Sequence, residues 1–335
     1  MTDRLTNSRF AKRFGLTTPI ALAPMAGASG ADLTAACCQA GTLGLLGGGY
    51  GDRDWTQREY GIAAQTLSAD REAGVRLGCG FITFKMEQDR AALDWVLDRQ
   101  IKPAALMLSF GDPTPFAKDI VAKDIPLICQ IQSMAQLPQA VDAGASVIVA
   151  QGAEAGGHGM NAARGRSTFT FVPEIADWLA ANAPDVMLLA AGGVADGRGL
   201  AAAITLGADG VLIGSRLWAT RESLAADAAI ECAVQAGGDD TARSAVFDIL
   251  RKKDWPAQYD FRALRNALHR QWEDRLDELR ANPAVAIADY KAGVAEEDYS
   301  RAHVTVGEGT GLIKANASAG DVIAAITKEA RALLG

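Results

Sequence analysis

Residues 186–214 read "VMLLAAGGVADGRGLAAAITLGADGVLIG" and contain two apolar runs separated by a helix-like segment. Each run has the length of a β-strand and is nearly continuous in apolar character, which is typical of strands buried on both faces of a parallel sheet. The segment between them follows Asp196, a residue type that often begins a helix as its N-cap. The stretch therefore predicts a strand–helix–strand unit with two parallel strands.

The same alternation runs through most of the chain. Between Pro19 and about Ser223, eight apolar runs alternate with helix-like segments. The runs cover residues 19–24, 42–47, 75–81, 104–109, 125–130, 146–151, 186–193 and 209–214. Eight such units are typical of a (β/α)₈ TIM barrel, an α/β fold. Because periodicity does not show whether a sheet closes, an open doubly wound sheet is kept as the alternative.

After Ser223 the pattern changes. Three segments in this region have the pattern of helices: "LAADAAIECAVQAG", "FRALRNALHRQWEDRLDELRANP" and "DVIAAITKEARALL". We see no regular pattern of strands between them. We therefore predict two units. Residues 1–223 form the barrel, and residues 224–335 form a mainly helical C-terminal extension packed on it, with a C-terminal segment that returns to the barrel.

Composition narrows the class of protein. The net charge of −7, with no run of like charges, argues against a nucleic-acid partner. No apolar run approaches the roughly 18 residues of a membrane span, and the N-terminus lacks the apolar region of a secretory signal. Five cysteines without a Cys-x-x-Cys pair favour buried free thiols in a reducing compartment, and three histidines disfavour a histidine-rich metal centre. We expect a cytoplasmic protein without a metal, membrane or nucleic-acid partner.

Glycine pairs follow the last two predicted strands. Gly192 and Gly193 come after the seventh strand, and Gly214 and Ser215 come after the eighth. In a TIM barrel these two loops are the usual phosphate site, where backbone N–H groups bind an anion. The pattern predicts a phosphorylated ligand. The alternative, that the glycines only terminate strands, stays open.

Two further strand ends carry candidate residues. In "ALAPMAGASG" (21–30), Pro24 ends the first strand, and the small residues beyond it would let a planar group approach the backbone; an ordinary tight turn is the alternative. In "QGAEAGGHGM" (151–160), His158 follows the sixth strand in what we expect to be a flexible glycine loop. An imidazole with a pKa near 6.5 is suited to act as a general base around neutrality. His303 is a second candidate, whereas His269 reads as part of a charged helix.

These segments resemble the nitronate monooxygenase family, formerly called 2-nitropropane dioxygenases. The resemblance rests on "PIALAPMAG", "VAQGAEAGGHGM", "AAGGVADGRGLAAAITLGADGVLIGSRLWATRES" and the tail segment "GEGTGLI". It implies a TIM barrel that binds FMN without a covalent bond and oxidises alkyl nitronates with O₂ to a carbonyl compound and nitrite.

The resemblance also implies roles for individual residues. His158 matches the base that takes a proton from the nitroalkane carbon. The implied cofactor-binding residues are Ala23, Pro24, Met25, Gly80, Gln130, Gln151, Gly156, Gly157, Ala191, Gly192, Gly193, Ile213, Gly214 and Ser215. The implied partners are a small-molecule substrate and O₂, and a homodimer is left open.

Two departures from the family pattern keep other functions open. Many members have "VNLF" in the third strand, where this chain has "LGCGF", and some have a histidine in the fourth strand where this chain has Ser109. The first alternative is an NAD(P)H-dependent FMN reductase acting on an enoyl thioester or a quinone. The others are a non-redox enzyme on a phosphate-binding barrel and a flavin-binding module without catalysis.

Overall fold

The computed structural model describes residues 3–335. The strands are β1 Ile20–Leu22, β2 Gly44–Gly49, β3 Leu77–Ile82, β4 Leu106–Ser109, β5 Leu127–Ile131, β6 Val147–Gln151, β7 Gly157–Met160, β8 Met187–Ala191, β9 Gly210–Ile213, β10 Thr241–Ser244 and β11 Tyr259–Leu264. The α-helices are α1 Arg9–Phe14, α2 Ala31–Gln39, α3 Arg53–Thr66, α4 Arg71–Gly74, α5 Thr83–Met86, α6 Ala91–Leu97, α7 Thr114–Ala122, α8 Leu137–Asp142, α9 Thr168–Asn182, α10 Gly197–Thr205, α11 Ser215–Trp218, α12 Asp227–Gln235, α13 Val246–Arg251, α14 Ala267–Trp272, α15 Leu276–Ala281, α16 Ala284–Ala295 and α17 Ala319–Leu334.

Eight of the strands form a parallel sheet in the order β1-β9-β8-β6-β5-β4-β3-β2. The N–H of Leu22 donates to the carbonyl of Leu43 (2.9 Å), and the N–H of Leu43 donates to the carbonyl of Ile20 (3.0 Å). These two bonds join β1 to the segment that leads into β2, so the sheet closes. The TIM-barrel prediction is confirmed, and each of the eight predicted runs overlaps one barrel strand.

The barrel interior is filled with side chains from alternate strand positions. Val147 and Val149 of β6 are fully buried and belong to the same apolar cluster as Phe10 and Phe14 of α1. Arg9 of this helix pairs with Asp209, which lies just before β9 (2.7 Å). Helix α1 therefore packs at the N-terminal end of the barrel, and the C-terminal end is left to the loops that bind ligands in this fold.

The last helix packs against the barrel helix α10. Asp196 caps α10 by accepting from the N–H of Gly199 (3.1 Å), as its sequence position predicts. The N–H of Gly197 donates to Glu329 of α17 (2.7 Å), and a Cβ on Gly197 would lie 2.5 Å from the nitrogen of Ala330. Only glycine permits so close an approach of the two helices.

The region after Ser223 is mainly helical, but it also contains β10 and β11. These strands form an antiparallel sheet with β7, in the order β10-β11-β7. The prediction that this region has no strand pattern is therefore wrong. In "YDFRAL" (259–264), buried and partly exposed positions alternate with the period of two that a half-buried strand requires. The division of the chain into two units at Ser223 stays a prediction.

The cysteines are all free. Cys37, Cys38, Cys79 and Cys129 are buried, and Cys232 is half-buried, so the prediction of free thiols is confirmed. Across residues 3–335, no helix has both the length and the apolar character needed to cross a bilayer.

Candidate active site

A cavity of about 380 Å³ lies at the C-terminal ends of the barrel strands. Its volume falls within the range of roughly 300–1,000 Å³ that is usual for small-molecule sites. All eight barrel strands contribute residues at or near their C-terminal ends, and the C-terminal region contributes residues from α13, β11 and the segment around 302–309. The site is therefore built by both parts of the chain.

Most of the residues predicted to contact a cofactor line this cavity together with His158. They are Ala23, Pro24, Met25, Gln130, Gln151, Gly156, Gly157, Ala191, Gly192, Gly193, Gly214 and Ser215. The structure does not bring Gly80 and Ile213 to the cavity wall. Gly80 lies beneath Pro24, where a Cβ would be 2.4 Å from the proline ring, and the side chain of Ile213 is buried in the core. The cofactor contacts themselves stay predictions.

His158 is fixed in a strand. It lies in β7, opposite Phe261 of β11, so the expectation of a flexible glycine loop is wrong. Its Nε2 is 2.9 Å and 3.0 Å from the two carboxylate oxygens of Asp248, and both side chains are 7% exposed. Burial lowers the pKa of His158, and the carboxylate of Asp248 partly opposes that shift. The imidazole is therefore neutral at neutral pH.

A half-buried arginine holds the His158 segment in place. The guanidinium of Arg243 donates to the carbonyls of Ala155 (2.6 Å), Gly157 (3.1 Å) and Asp260 (2.7 Å). Burial lowers the pKa of Arg243 to about 10. The bonds to these carbonyls explain why a segment so rich in glycine is ordered.

Glutamines fix the same segment from the barrel side. The Nε2 of Gln151 donates to the carbonyl of His158 (2.9 Å). The Oε1 of Gln151 in turn accepts from Gln132 (3.0 Å) and Gln130 (3.3 Å). This chain of amides orients Gln151, so the main chain at His158 is tied to β5 and β6.

An aromatic wall surrounds the imidazole. Trp255 stacks on His158 with ring centroids 3.4 Å apart. The ring of Phe261 is tilted relative to the imidazole, with a distance of 4.8 Å between the two centroids. Phe110 meets the edge of Trp255 at 5.0 Å, and the indole N–H of Trp255 donates to the hydroxyl of Tyr50 (3.0 Å). These rings restrict water at this end of the cavity, which strengthens electrostatic interactions there.

One cation lines the cavity without a carboxylate partner. The guanidinium of Arg251 lies over the ring of Phe261, 4.7 Å from its centroid, and makes no ion pair within residues 3–335. Its Nη1 is buried and has no hydrogen-bond partner in that range. Arg251 is half-buried, and a guanidinium without a carboxylate partner there favours an anionic ligand in this part of the cavity.

Unpaired backbone donors lie at another part of the wall. Within the described chain, the N–H groups of Gly193 and Gly214 have no hydrogen-bond partner. Both glycines line the cavity, and the φ of Gly193 is +74°, a left-handed conformation that favours glycine. Free N–H groups at such turns are donors for an anion.

The C-terminal segment completes this donor cluster. The N–H of Gly307 donates to Ser215 Oγ (2.9 Å), and a Cβ on Gly156 would lie 2.5 Å from the nitrogen of Gly307. A Cβ on Gly309 would lie 3.5 Å from the carbonyl oxygen of Gly193. The loops after β6, β8 and β9 therefore meet around the segment 307–309.

Three other titratable residues, Glu154, His303 and His269, are held by neighbouring groups. Glu154 accepts from the N–H (3.0 Å) and hydroxyl (2.9 Å) of Thr168 at the start of α9. His303 lines the cavity, but its Nδ1 is 2.7 Å from the Tyr290 hydroxyl, and burial lowers its pKa to about 3. His269 is buried away from the cavity, with its Nε2 2.7 Å from Ser244 Oγ.

Sequence reasoning missed the residues that surround the imidazole. Asp248, Arg251 and Trp255 lie about 90 positions beyond His158 in a region read as helical. The alternation in residues 259–264 could have predicted β11, but no local pattern marks Asp248. Ser109, which replaces the histidine of some family members, lines the cavity.

Comparisons with known proteins identify the family to which the chain is similar. A family model described as nitronate monooxygenase matches residues 61–329. The chain is 30% identical to the nitronate monooxygenase of Neurospora crassa, over 92% of this chain and 88% of that protein. It is also 30% identical to the nitronate monooxygenase npaC of Metarhizium robertsii, over 93% and 90% of the two chains.

Solved structures with the same fold include FabK from Thermotoga maritima, with a TM-score of 0.81, 25% identity, and coverage of 98% of this chain and 97% of that one. A nitroalkane oxidase from Streptomyces ansochromogenes matches with a TM-score of 0.77 and 22% identity, over 97% and 100% of the two chains. The fold and the matches together define a TIM-barrel oxidoreductase. The chain belongs to the nitronate monooxygenase family.

Proposed function

We propose that this protein oxidises alkyl nitronates and nitroalkanes with O₂, using FMN, to give a carbonyl compound and nitrite. The observation that supports this most directly is the placement of His158. It is a buried neutral imidazole in a cavity that also contains an unpaired cation, Arg251, and free backbone donors at Gly193 and Gly214. A base, a positive charge for an anionic substrate and a phosphate site are the groups that this reaction needs.

The residues present fit FMN. The unpartnered N–H groups of Gly193 and Gly214, with Ser215 beside them, would hold the phosphate. Gly214 also lies close to the end of β1, since a Cβ on it would be 3.7 Å from both Ala23 and Met25, so the ring system of FMN could lie along Ala23–Met25. When bound, FMN supplies the electron transfer from the substrate and to oxygen.

The protein's own groups handle the proton and the substrate charge. His158 takes the proton from the carbon that bears the nitro group when the substrate is a neutral nitroalkane. Its lowered pKa keeps the imidazole unprotonated at neutral pH, so that it is free to accept. Arg251 attracts the anionic nitronate, and the ring of Trp255 restricts water near the base.

An NAD(P)H-dependent FMN reductase is the second candidate. The chain shares its fold with FabK from Thermotoga maritima, and it lacks the third-strand asparagine of many nitronate monooxygenases. A non-redox enzyme on the same barrel is the third. The non-redox enzyme would be colourless, whereas the reductase would be yellow and would react with NAD(P)H, so simple assays distinguish these alternatives from the proposed function.

The test begins with an absorbance spectrum of the purified protein. A flavin spectrum that matches free FMN after denaturation supports the proposal, and a colourless protein that takes up no FMN contradicts it. Oxygen uptake is then followed with propionate 3-nitronate and, separately, flavin bleaching is followed with NADH under anaerobic conditions. We expect oxygen uptake with nitronate and no bleaching of the flavin by NADH. Bleaching by NADH without oxygen uptake on nitronate would assign the protein to the reductases.

A further inference from the structure

The two nitrogens of the His158 ring have different surroundings. Nε2 contacts both oxygens of Asp248, at 2.9 Å and 3.0 Å. Nδ1 has no hydrogen-bond partner within residues 3–335, and it is not among the polar atoms that are both enclosed and unpaired. Because the side chain lines the cavity, Nδ1 is the ring nitrogen that a ligand can reach.

The contact with Asp248 sets the position of the ring proton. An ionised carboxylate only accepts hydrogen bonds, so Nε2 must carry a proton for this bond to form. In the neutral imidazole the other nitrogen, Nδ1, then keeps a free lone pair.

The helix that bears the carboxylate is packed into the core of the C-terminal region. Asp248 lies in α13, whose Val246, Phe247 and Leu250 are buried in the apolar cluster of the C-terminal region. Phe261 of β11 belongs to the same cluster and contacts the His158 ring. The orientation of the imidazole is therefore set by the packing of the C-terminal region.

Charges of both signs lie near the His158 imidazole. Arg251 on α13 and Arg243 on β10 both disfavour a positive imidazole. The neighbouring rings of Trp255, Phe261 and Phe110 are neutral. Of the groups facing the ring, Asp248 is the one whose charge favours the protonated state.

We propose that Asp248 is a positioning residue that keeps the His158 imidazole oriented with Nδ1 toward the substrate and stabilises the imidazolium that forms there. In the step concerned, the C–H bond beside the nitro group breaks, its electron pair passes into the nitro group to give the nitronate, and the proton bonds to Nδ1. This inference rests on the proposed function, because it assumes that His158 acts as the base.

The decisive comparison is between Asp248→Asn and Asp260→Asn. Both changes remove one negative charge, and Asp260 lies on β11 next to the His158 partner Phe261 but does not bond to the imidazole. Asp248→Asn should lower kcat on a neutral nitroalkane by about 10²- to 10⁴-fold, the range for loss of a positioned base, with KM little changed. Preformed nitronate should be oxidised at nearly the normal rate, and Asp260→Asn should behave like the wild type.

The pH profile distinguishes positioning from a purely structural role. Without the Asp248 charge, the imidazolium is less stable, so the acid limb of kcat/KM for the nitroalkane should move to lower pH. Asp248→Glu, which keeps the charge, should retain the acid limb near its wild-type position. An equal loss on nitroalkane and nitronate, or identical behaviour of Asp248→Asn and Asp260→Asn, would overturn the proposal.

A measurement on the unaltered protein decides the tautomer without any activity. The chain has three histidines, so ¹⁵N-labelled histidine gives a simple spectrum, and His158→Gln identifies the signal that is lost. We expect the proton on Nε2 and none on Nδ1; a proton on Nδ1 contradicts the proposal. If the protein oxidised no nitronate at all, the proposed function would fail while the tautomer assignment would still be tested.

Discussion

The Trp255 indole lies flat against the His158 imidazole, with ring centroids 3.4 Å apart and an angle of 9° between the planes. The same indole donates to the hydroxyl of Tyr50, which follows β2 and also lines the cavity. Trp255 thus links the imidazole to the barrel rim. It also covers one face of the base, so that the ring is reached from its edge.

We expect Trp255→Ala to reduce kcat on neutral nitroalkanes by about two- to tenfold, because an aromatic stacking contact contributes roughly 0.5–1.5 kcal/mol. The change should also admit water and weaken the burial that lowers the pKa of His158, which moves the acid limb of the rate profile to higher pH. Steady-state pH profiles measure both effects. Trp255→Phe, which keeps an aromatic ring, is the control and should restore most of the rate.

His158→Ala removes the proposed base. Its rate on neutral nitroalkanes should fall by about 10²- to 10⁴-fold, whereas preformed nitronates, which need no proton removal, should be oxidised almost normally. Oxygen-electrode assays with each substrate form measure the ratio. His269→Gln, a change at a histidine away from the cavity, is the matched control. Equal activity of wild type and His158→Ala on nitroalkanes would exclude the role.

The pH dependence should differ between the two substrate forms. Because burial lowers the pKa of His158 below its ordinary value of about 6.5, the neutral base is present throughout the neutral range and is lost only as the solution becomes more acidic. The kcat/KM for a nitroalkane should therefore be flat through neutrality and decline on the acid side, below pH 6.5. Preformed nitronate should show no decline attributable to this group, and an acid limb above pH 6.5 would contradict the assignment.

Gly156 should be essential for retaining FMN. A Cβ at this position would lie 2.5 Å from the backbone nitrogen of Gly307, so Gly156→Val must displace the segment that completes the donor cluster. We expect the purified variant to lose flavin absorbance while its circular dichroism stays close to that of the wild type. Gly61→Ala is the matched control, since a Cβ there has nothing within 4 Å and the position lies inside α3. Full flavin content in Gly156→Val would argue against this phosphate site.

Arg251 should select for anionic substrates. Arg251→Gln removes a charge that lines the cavity without a carboxylate partner, and hydrogen bonds to charged groups contribute about 1.5–3 kcal/mol. KM for a nitronate should therefore rise by about 10- to 100-fold, with a smaller effect on a neutral nitroalkane. Arg251→Lys keeps the charge and should recover part of the affinity. Equal changes in KM for both substrates would remove Arg251 from this role.

The sequence predicted what depends on local pattern. Each barrel strand is a short apolar run, and the ends of those runs located Gly193, Gly214 and Gln151 at the cavity wall. Closure of the barrel was not predictable. It depends on hydrogen bonds between Leu43 and β1, and the pairing of two distant segments leaves no periodic pattern in the sequence.

The surroundings of His158 depend on contacts distant in the chain. Asp248 is 90 residues away, and its carboxylate reaches the imidazole only because β11 pairs with β7. Gly80 lies off the cavity wall for a different reason. It precedes the cavity residues Phe81 and Ile82 in β3, but Pro24 lies over it. The position of a residue in a strand does not show which neighbour covers it.

The pairing of β7 with β11 has a consequence for how such enzymes diversify. The strand that bears the imidazole is not part of the barrel sheet and pairs instead with a later part of the chain. Grafting the C-terminal portion of a relative onto this barrel would therefore exchange Asp248 and Trp255, which contact the imidazole, while His158 itself would stay. Chimeras that keep residues 157–160 and their partner strand from the same parent should stay active, and those that split them should not.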